Sequence, residues 1–452
     1  MSSKSLNCFT AYDVRGRVPS ELNESIAKRI GQSYAAVFQP NQVVVGNDIR
    51  LSSSEIKSGL VSGLRDQGVS VFDIGVCGTE EIYFATKYSR LDGGIVVTAS
   101  HNPMDYNGMK FVREEAKPIS GDSGLEEIRA LAEANLFSSS KRKGSLNTLD
   151  TSEPYIEHLL SYIDTSILPK YRIVSNPGNG GAGKIIDLLE PRLPFEFIKI
   201  HHEADGNFPN GVPNPLLLEN RISTSQTVKE NKANLGIAWD GDFDRCFFFD
   251  ANGNFIEGYY IVGLLAEAFL KKSPDSAIVH DPRLIWNTID IVNNFNGKPV
   301  QSKTGHAFIK ESMRAENAVY GGEMSAHHYF RDFFYCDSGM IPWLLVCGLM
   351  ASKKKSLAEL VKERQKLFPC SGEINRQVSD PKELLEMVQD HFFSEIRKIE
   401  YMDGISADCG DWRFNLRTSN TEPVVRLNVE SYGDAKLMKK KTTELLRIID
   451  RV

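Results

Sequence analysis

Residues 94–103 of this chain have the sequence G-I-V-V-T-A-S-H-N-P, and this stretch decides the fold. Its first four residues are glycine and β-branched apolar residues, which is typical of a buried strand in a parallel sheet. Asn102 and Pro103 then interrupt the strand pattern, so Ser100 is predicted to lie in a tight loop at the carboxyl end of that strand. Ligands bind at this edge of open α/β sheets, which makes Ser100 a candidate nucleophile.

The size and charge of the chain limit its fold and its ligands. With 452 residues it is too long for one hydrophobic core, so three or four domains are expected. Hydrophobic residues make up 41% and charged residues 25%, which is typical of a globular protein that folds in water. The net charge of −6 argues against non-specific nucleic-acid binding, so any phosphate must be held by local cations and backbone amides.

The cysteines and the apolar segments indicate where the protein works. Seven cysteines are scattered without a C-x-x-C motif, which favours reduced thiols over a disulfide framework. No apolar signal core follows the first five residues, and the longest apolar stretch, residues 339–351, is too short to span a bilayer and is predicted to be a buried helix. We expect a cytoplasmic protein with no nucleic-acid or membrane partner, present as a monomer or a weak homodimer.

A pattern of strand, loop, helix and later strand recurs three times along the chain. The copies begin near residues 43–50, 172–177 and 277–283, and each reaches a later strand that ends in an unusual loop. Residues 48–51 (D-I-R-L) and 281–284 (D-P-R-L) are visibly alike, whereas elsewhere only the pattern repeats. This order predicts three topologically related α/β domains with mixed, mainly parallel sheets, each offering a strand-end loop to a shared cleft.

The last part of the chain, from about Pro369, has a different pattern. A helix with acidic and basic residues is predicted near 381–399, strands near 412–416 and 424–430, and a final helix from 434. This order predicts a small α+β domain. Turn residues and shifts in composition place the four predicted domains at residues 1–145, 146–250, 251–367 and 368–452.

Three aspartates in the segment 240–245, D-G-D-F-D-R, indicate a metal site. Asp240, Asp242 and Asp244 lie between two apolar segments that are predicted strands. Side chains at alternate positions of an extended chain point the same way, and three carboxylates suit Mg²⁺. An acidic hairpin tip is the alternative, but mutual repulsion of the carboxylates favours a cation. The segment is not an EF-hand, because Arg245 stands where that motif needs glycine.

Two further loops carry groups that suit a sugar phosphate. The loop 417–423, R-T-S-N-T-E-P, combines a guanidinium with hydroxyls and an amide that could hold a phosphate, although a Ser/Thr turn explains it equally well. The loop 323–328, E-M-S-A-H-H, offers groups that could bind sugar hydroxyls; its adjacent histidines diverge on a strand, which argues against zinc. Lys110, Lys303 and His306 are candidate cations or proton carriers, or else solvated surface residues.

The glycine loop, residues 178–184 (G-N-G-G-A-G-K), matches two nucleotide-binding patterns. A P-loop needs serine or threonine after the lysine, and Ile185 stands there. A dinucleotide site needs an acidic residue about 20 positions further on; Glu196 is near that place but follows two prolines. Close packing of a helix on a strand explains the glycines without a cofactor.

Taken together, these loops resemble those of the α-D-phosphohexomutase family, most closely its bacterial phosphomannomutases. T-A-S-H-N-P, D-G-D-x-D-R, G-E-M-S-x-H and R-x-S-N-T-E-P occur in the family's order along essentially the whole chain. The resemblance implies three α/β domains and a C-terminal α+β domain around a central cleft. It also implies reversible interconversion of mannose 6-phosphate and mannose 1-phosphate through a phosphoserine and a hexose 1,6-bisphosphate, supplying GDP-mannose synthesis.

The resemblance also assigns roles to individual residues. Ser100 corresponds to the phosphoserine, and Asp240, Asp242 and Asp244, with a phosphate oxygen on Ser100, to the magnesium ligands. Arg245 corresponds to a residue beside the phosphoryl group. Lys110 and His306 match residues of proton transfer, and His101 is counted with these catalytic groups. The candidate substrate-binding residues, among which Lys303 is included, are Tyr12, Arg15, Lys303, Glu323, Ser325, His327, Arg417, Ser419, Asn420 and Thr421.

Two positions bear on specificity. Ala326 stands where many relatives have glycine, and its methyl group is expected to narrow the sugar site. Asn420 favours phosphomannomutases and phosphoglucomutases over phosphoglucosamine mutases. Mannose and glucose phosphates differ only at C2, to which no residue can be assigned, so a phosphoglucomutase or a dual-specificity enzyme is the alternative. Alternatives from other classes are a dehydrogenase, a serine phosphatase and a catalytically silent sugar-phosphate binder.

Overall fold

Strands and helices alternate through most of the chain, as the sequence predicts. The computed structural model describes residues 5–138, 140–418 and 424–452. The chain forms two compact units, of which the first comprises Met1–Phe255 and Asp332–Lys354 and the second Ile256–Arg331 and Lys355–Val452. Within the described residues, no helix has both the length and the apolar character needed to cross a membrane.

The first sheet has six strands in the order β1-β5-β4-β2-β3-β6. Its strands are β1 (Val14–Arg17), β2 (Gln42–Asn47), β3 (Ser70–Val76), β4 (Gly93–Val97), β5 (Tyr106–Arg113) and β6 (Leu146–Thr148). Its helices are α1 (Glu24–Phe38), α2 (Ser53–Asp66), α3 (Thr79–Tyr88) and α4 (Leu125–Ala134). β2 is parallel to β3 and β4, and β5 is antiparallel to β4 and β1. Every residue of β4 is buried, as expected for a strand covered on both faces.

The second sheet also lies in the first unit and has the order β10-β9-β7-β8. Its strands are β7 (Arg172–Asn176), β8 (Glu196–Lys199), β9 (Leu235–Trp239) and β10 (Cys246–Phe249); β11 (Phe255–Ile256) follows. The helices of this part are α5 (Ser152–Leu160), α6 (Gly183–Leu189) and α7 (Ile222–Glu230).

The third sheet, in the second unit, has the order β13-β12-β14-β15. Its strands are β12 (Ala277–His280), β13 (Lys298–Gln301), β14 (Tyr320–Gly322) and β15 (His328–Phe330). The helices beside them in the chain are α8 (Gly258–Lys272), α9 (Trp286–Asn294), α10 (His306–Ala315) and α12 (Leu357–Leu367). The first unit contains β16 (Cys336–Asp337) and α11 (Ile341–Lys353); α11 confirms the buried helix predicted from the longest apolar stretch.

One connection plan is common to the three sheets. In each, a first strand (β2, β7 or β12) lies between two parallel neighbours, and the later neighbour (β4, β9 or β14) is followed by an antiparallel strand. The prediction of three topologically related α/β domains with mixed, mainly parallel sheets is therefore confirmed.

The C-terminal sheet is antiparallel throughout and has the order β17-β21-β20-β19-β18. Its strands are β17 (Cys370–Gln377), β18 (Lys398–Glu400), β19 (Ile405–Asp408), β20 (Trp412–Thr418) and β21 (Val424–Ser431), and its helices are α13 (Pro381–His391) and α14 (Ala435–Ile449). The predicted α+β character is confirmed. The helix predicted near 381–399 was too long: it ends at His391, because Lys398–Glu400 pairs with β19.

Candidate active site

Ser100 lies in the loop that follows β4, as predicted. Its φ of 48° falls in the left-handed region, which is uncommon for residues other than glycine. The Ser100 N–H donates a hydrogen bond to Thr98 Oγ1 at 2.9 Å, and the Ser100 hydroxyl donates to Asp240 Oδ2 at 3.0 Å. The loop therefore turns a nearly buried hydroxyl toward the loop that follows β9.

The three aspartates form one buried cluster between β9 and β10. Asp240, Asp242 and Asp244 each offer a carboxylate oxygen, and these atoms lie within 4.8 Å of one another. Among the described residues, Asp242 Oδ1 has no hydrogen-bond partner although it is buried. An orphaned buried acceptor in a set of hard oxygen donors fits a divalent cation such as Mg²⁺.

Gly241 brings this cluster close to Ser100. A Cβ atom at position 241 would stand 2.4 Å from the Ser100 carbonyl oxygen, which is closer than any side chain tolerates. The two loops therefore touch backbone to backbone, and only glycine permits that approach.

Two cations neutralise part of the cluster. Lys110 Nζ donates to Asp242 Oδ2 and Asp244 Oδ2, each at 2.6 Å, and Arg245 Nε donates to Asp240 Oδ2 at 2.7 Å. Burial opposes the charge on Lys110, but the two carboxylates outweigh burial and raise the lysine pKa above its usual range. Three carboxylates and two cationic side chains leave one net negative charge on the cluster, and this charge favours the binding of a further cation.

His101 is a neutral imidazole in this arrangement. Burial, followed by the nearby charges of Arg245 and Arg15, lowers the pKa of His101 well below its usual value. An Arg245 N–H donates to His101 Nδ1, so this nitrogen carries a lone pair. The same nitrogen is 3.1 Å from Ser100 Oγ, so His101 lies beside the candidate nucleophile, while its lone pair accepts from Arg245 and the Ser100 hydroxyl donates to Asp240.

The N-terminal segment reaches the same loop. Arg15 Nη1 donates to Asn102 Oδ1 at 2.7 Å, and Arg15 Nε donates to Asp13 Oδ2 at 2.8 Å. Tyr12 is half-buried and three positions before Arg15. Of the residues that the sequence singled out, the first unit thus brings together Ser100, His101, Lys110, Arg15, Arg245 and the three aspartates.

The second unit brings together a different group, centred on Glu323 after β14. The Gly305 N–H donates to Glu323 Oε1 at 3.1 Å, and the Tyr329 hydroxyl donates to Oε2 at 2.6 Å. His327 Nδ1 lies 3.0 Å from the same Oε2. Burial alone would raise the pKa of Glu323, but His327, Arg283 and Tyr329 hold it well below its usual range. Glu323 is therefore ionised and can accept hydrogen bonds from sugar hydroxyls.

Ser325 and Arg417 are connected through two intermediate residues. Arg283 Nη2 donates to Ser325 Oγ at 3.1 Å, and Arg283 Nη1 donates to Glu373 Oε2 at 3.3 Å. Arg417 Nη2 donates to the same Glu373 oxygen at 3.2 Å. One carboxylate thus lies between the arginine of the predicted phosphate loop and the arginine that contacts the predicted sugar loop.

Two further predicted residues, Lys303 and His306, lie just before and at the start of α10. Lys303 is exposed, with its ammonium 5.7 Å from the ring centre of Phe308. His306 is half-buried and is the first residue of α10. Ser419, Asn420 and Thr421 lie outside the described residues.

Sequence reasoning missed three residues of the first unit. Thr79 Oγ1 donates to Asp242 Oδ2 at 2.5 Å, from the start of α3. Asp48 Oδ2 accepts from Thr98 Oγ1 at 2.7 Å, and Arg50 donates to backbone oxygens of the Ser100 loop. The likeness of residues 48–51 to 281–284 was the available signal for Asp48 and Arg50; no motif marks Thr79, which is 163 positions from Asp242.

The glycine loop has a packing role. Gly180 has a φ of 91°, and a Cβ atom there would lie 2.4 Å from the Cα atom of Ala204. A Cβ atom at Gly181 would lie 2.6 Å from the Gly241 carbonyl oxygen. The glycines therefore allow the backbone to pack against Ala204 and the aspartate loop, whereas the sequence pattern predicted packing of a helix on a strand.

Comparison with known proteins identifies the family of the chain. Four family models match in order, and their descriptions are phosphoglucomutase/phosphomannomutase α/β/α domains I, II and III and C-terminal domain. They match residues 6–139, 153–253, 257–368 and 373–446. The chain belongs to the phosphoglucomutase/phosphomannomutase family. The α-D-phosphohexomutase resemblance stated from the sequence is thereby confirmed.

Individual members of the family are similar over their whole length. A phosphomannomutase of Escherichia coli K12 is 57% identical over 99% of this chain and 100% of its own. A protein of Xanthomonas campestris named for phosphohexose mutases is 57% identical over 98% of this chain and 99% of its own. A crystal structure of a phosphoglucomutase/phosphomannomutase family protein from Burkholderia thailandensis has a TM-score of 0.89 at 29% identity and covers 99% of this chain and 98% of its own.

Proposed function

We propose that the chain catalyses the phosphomannomutase reaction, the reversible interconversion of mannose 6-phosphate and mannose 1-phosphate, through a phosphorylated Ser100. The observation that carries the proposal is the Ser100 hydroxyl 3.0 Å from Asp240, within a buried cluster of three carboxylates. Phosphoryl transfer needs a positioned oxygen beside a cation site more than it needs covalent help from the protein. The name of the Escherichia coli relative supports mannose as the sugar.

Asp240, Asp242 and Asp244 would hold the Mg²⁺ ion, together with a phosphate oxygen once Ser100 is phosphorylated. The orphaned Asp242 Oδ1 and the uncompensated negative charge of the cluster support this assignment. When bound, the ion supplies positive charge that stabilises the serine oxygen as the phosphoryl group leaves. Lys110 occupies part of the same cluster, so its ammonium competes with a cation for Asp242 and Asp244.

In the forward reaction, phospho-Ser100 transfers its phosphoryl group to the C1 hydroxyl oxygen of mannose 6-phosphate. The bond from phosphorus to Ser100 Oγ breaks, a bond from phosphorus to the sugar oxygen forms, the hydroxyl proton passes to His306, and Ser100 Oγ takes up a proton as it leaves. Lys110, which is already an ammonium ion between Asp242 and Asp244, can act only as a proton donor. Arg245, which contacts Asp240 and His101, is placed to neutralise charge on the transferring group. The resulting 1,6-bisphosphate then reorients and returns its other phosphate to Ser100.

Residues of the second unit bind the sugar phosphate. The sugar hydroxyls donate hydrogen bonds to, or accept them from, Glu323, Ser325 and His327. The phosphate that is not reacting is held by Arg417 with Ser419, Asn420 and Thr421. Tyr12, Arg15 and Lys303 complete the contacts. The carboxylates of Glu373 and Asp403 form ion pairs with the Arg417 guanidinium, so a phosphate that binds Arg417 would replace them.

The test is an assay with mannose 1-phosphate or mannose 6-phosphate, Mg²⁺ and a trace of hexose 1,6-bisphosphate. Wild type should convert either substrate, and Ser100→Ala should abolish turnover while sugar-phosphate affinity stays within about tenfold, because binding groups are untouched. Near-normal rates in the alanine variant would show that Ser100 is not the phosphoryl carrier. Stoichiometric release of inorganic phosphate would instead identify a phosphatase.

A second candidate is a dual-specificity enzyme that also accepts glucose phosphates. The observation in its favour is the Xanthomonas campestris relative, whose name covers phosphohexose mutases generally, at the same 57% identity. Parallel kcat/KM values for mannose 1-phosphate and glucose 1-phosphate separate the two candidates. Values within about tenfold indicate dual specificity, since one tenfold difference is only about 1.4 kcal/mol of transition-state binding.

We place this activity in the cytoplasm, where its product would serve GDP-mannose synthesis. All seven cysteines are free thiols, and six of them are buried, which suits a reducing compartment. Cell fractionation with a tagged chain tests this placement; recovery in a membrane or extracellular fraction would contradict it.

A further inference from the structure

We propose that Arg50 is a positioning residue for phosphoryl transfer, which fixes the backbone of the loop that carries Ser100. The inference rests on the proposed function, because it assigns Arg50 a part in the transfer from Ser100. Arg50 follows β2, and its side-chain hydrogen bonds run to Asp48 and to the backbone of the Ser100 loop.

The Arg50 guanidinium is bonded to the carbonyl oxygens of that loop. Nη2 donates to Ser100 at 2.8 Å and to Asn102 at 2.7 Å. Nη1 donates to Pro103 at 2.6 Å and to Tyr106 at 3.0 Å. These four acceptors surround the turn between β4 and β5, so one planar group sets the shape of the whole turn.

The fifth N–H donor of Arg50 is also used. Nε donates to Asp48 Oδ2 at 3.2 Å, and Asp48 Oδ2 accepts from Thr98 Oγ1 as well. Since a guanidinium has five N–H donors, its hydrogen-bonding capacity is filled. Thr98 Oγ1 in turn accepts from the Ser100 N–H, so Asp48 and Arg50 hold Ser100 from both its amide and its carbonyl side.

Burial makes this arrangement rigid. The Arg50 side chain is 1% exposed, and its guanidinium carbon lies 4.9 Å from the ring centre of Phe208. A Cβ atom at Gly206 would lie 2.5 Å from the Ile49 carbonyl oxygen, so the covering segment also packs tightly on the backbone beside Arg50. Lysine at position 50 would offer three donors from one point and could not reproduce the planar fork.

The hydrogen bonds from Arg50 fix the direction in which the backbone carbonyl dipoles of the Ser100 loop point. Carbonyl oxygens bonded to Arg50 cannot turn toward the anionic phosphoryl group, and the left-handed φ of Ser100 is held in place. A displacement of about 1 Å in a reacting group costs about 100-fold in rate. Arg50 should therefore affect kcat much more than substrate affinity.

Arg221 provides a matched control in the same unit. It donates to the carbonyl oxygens of Pro215 at 2.8 Å and Leu216 at 2.9 Å, and its guanidinium carbon lies 3.6 Å from the ring centre of Phe255. It is thus another arginine that fixes a loop backbone beside an aromatic ring, and the loop that it fixes precedes α7 rather than following β4. Loss of general stability should be common to both positions, whereas loss of kcat should not.

The experiment compares Arg50→Lys, Arg50→Ala and Arg221→Ala with wild type in the mutase assay, with active enzyme counted by phosphoserine content. We expect kcat of Arg50→Lys to fall about 100-fold with KM within about threefold. Guanidinium ions at millimolar concentration should restore at least tenfold of the lost rate in Arg50→Ala, because they replace the planar donors, whereas methylammonium should not.

Each other result counts against the inference. It is overturned if kcat of Arg50→Lys stays within about threefold of wild type, if methylammonium rescues Arg50→Ala as well as guanidinium does, or if Arg221→Ala loses kcat equally. If Arg50→Ala fails to fold, the kcat and KM values of Arg50→Lys decide alone. An inactive wild type overturns the proposed function and this inference together, whereas an active wild type beside an equally active Arg50→Lys overturns the inference only.

Discussion

Two loops of this molecule are each held by an Asp-x-Arg motif, but through different atoms. The first loop follows β4 and carries Ser100, and the second loop follows β14 and carries Ser325. In the first clamp, formed by Asp48 and Arg50, the Arg50 N–H donates to Asp48 Oδ1 at 3.0 Å. In the second clamp, formed by Asp281 and Arg283, the Arg283 N–H donates to Asp281 Oδ1 at 2.9 Å. Each clamp follows the strand that lies between two parallel neighbours, β2 or β12, and each holds the loop after the later neighbour, β4 or β14.

The difference lies in what the guanidinium grips. Arg50 donates to backbone carbonyls, so the Ser100 loop is fixed whatever its side chains contact. Arg283 donates to the side chains of Ser325 and Glu373, and its Nε has no hydrogen-bond partner among the described residues. The loop that carries the proposed phosphoryl carrier is fixed through its backbone, whereas the loop proposed to bind the sugar is held through side chains.

The largest expected effect comes from the carboxylates beside the first loop. We expect Asp242→Asn to lower kcat by about 1000-fold, because the amide replaces an orphaned buried acceptor that is placed for a cation. Mg²⁺ should raise the Tm of wild type and leave the Tm of Asp242→Asn unchanged. Asp250→Asn, which removes a buried carboxylate in a turn of the same unit, is the control and should keep the Mg²⁺ response. An equal Tm response in both variants would remove Asp242 from the cation site.

The second clamp should govern affinity rather than rate. We expect Arg283→Lys to raise KM about tenfold with kcat within about threefold, because it weakens the contacts to Ser325 and Glu373 and leaves Ser100 untouched. Steady-state kinetics of Arg283→Lys beside Arg50→Lys measure the contrast directly. If both variants lose kcat and keep KM, the two clamps do the same task and the comparison fails.

These arrangements were only partly accessible from sequence. The strand-end loops that hold Ser100 and the three aspartates follow from apolar runs that stop at polar turns, and in the structure Ser100 Oγ lies 3.0 Å from Asp240 Oδ2. Thr79 could not be predicted, because its partner is 163 positions away. For Arg50 the likeness of residues 48–51 to 281–284 was a signal, but its partners, 50 to 56 positions away, depend on how the strands are ordered in the sheet. The helix predicted near 381–399 ends at His391, which shows that an amphipathic pattern does not reveal where a helix ends and the next strand begins.

The free energy of unfolding should depend on pH in the acid range through His328, a buried histidine at the start of β15. Burial, with the charge of His327, lowers the pKa of His328 to about 3, and its Nδ1 lies 2.7 Å from the Tyr320 hydroxyl. The unfolded chain binds this proton near pH 6.5 and the folded chain does not, so the free energy of unfolding falls by about 1.4 kcal/mol per pH unit between about 6.5 and 3.

This dependence is measured with His328→Gln in urea unfolding at pH 7 and pH 5. Between those values wild type should lose about 2 kcal/mol that the variant does not lose, since glutamine takes up no proton. His391→Gln, at an exposed position, is the control and should follow wild type. A variant that loses stability as fast as wild type would show that His328 is already protonated in the folded chain.

The smallest effect concerns Ala326 in the second loop. Its φ of 73° is in the left-handed region, which costs alanine about 1 kcal/mol relative to glycine. We therefore expect Ala326→Gly to stabilise the chain by about 0.5 kcal/mol after the greater freedom of glycine in the unfolded chain is counted. Urea unfolding measures this gain, and KM tests whether the methyl group also narrows the sugar site. A loss of stability would show that packing of the methyl group outweighs the strain.

The glycine loop occupies, in the second sheet, the position that the clamps occupy in the first and third. It follows β7, as Asp48 and Arg50 follow β2 and Asp281 and Arg283 follow β12, and it supports the loop after β9 by direct contact with Gly241. The three related sheets thus support equivalent loops by different means, a guanidinium in two of them and close backbone packing in the other. An Asp-x-Arg motif introduced after β7 would show whether a guanidinium can replace the close packing of the glycines.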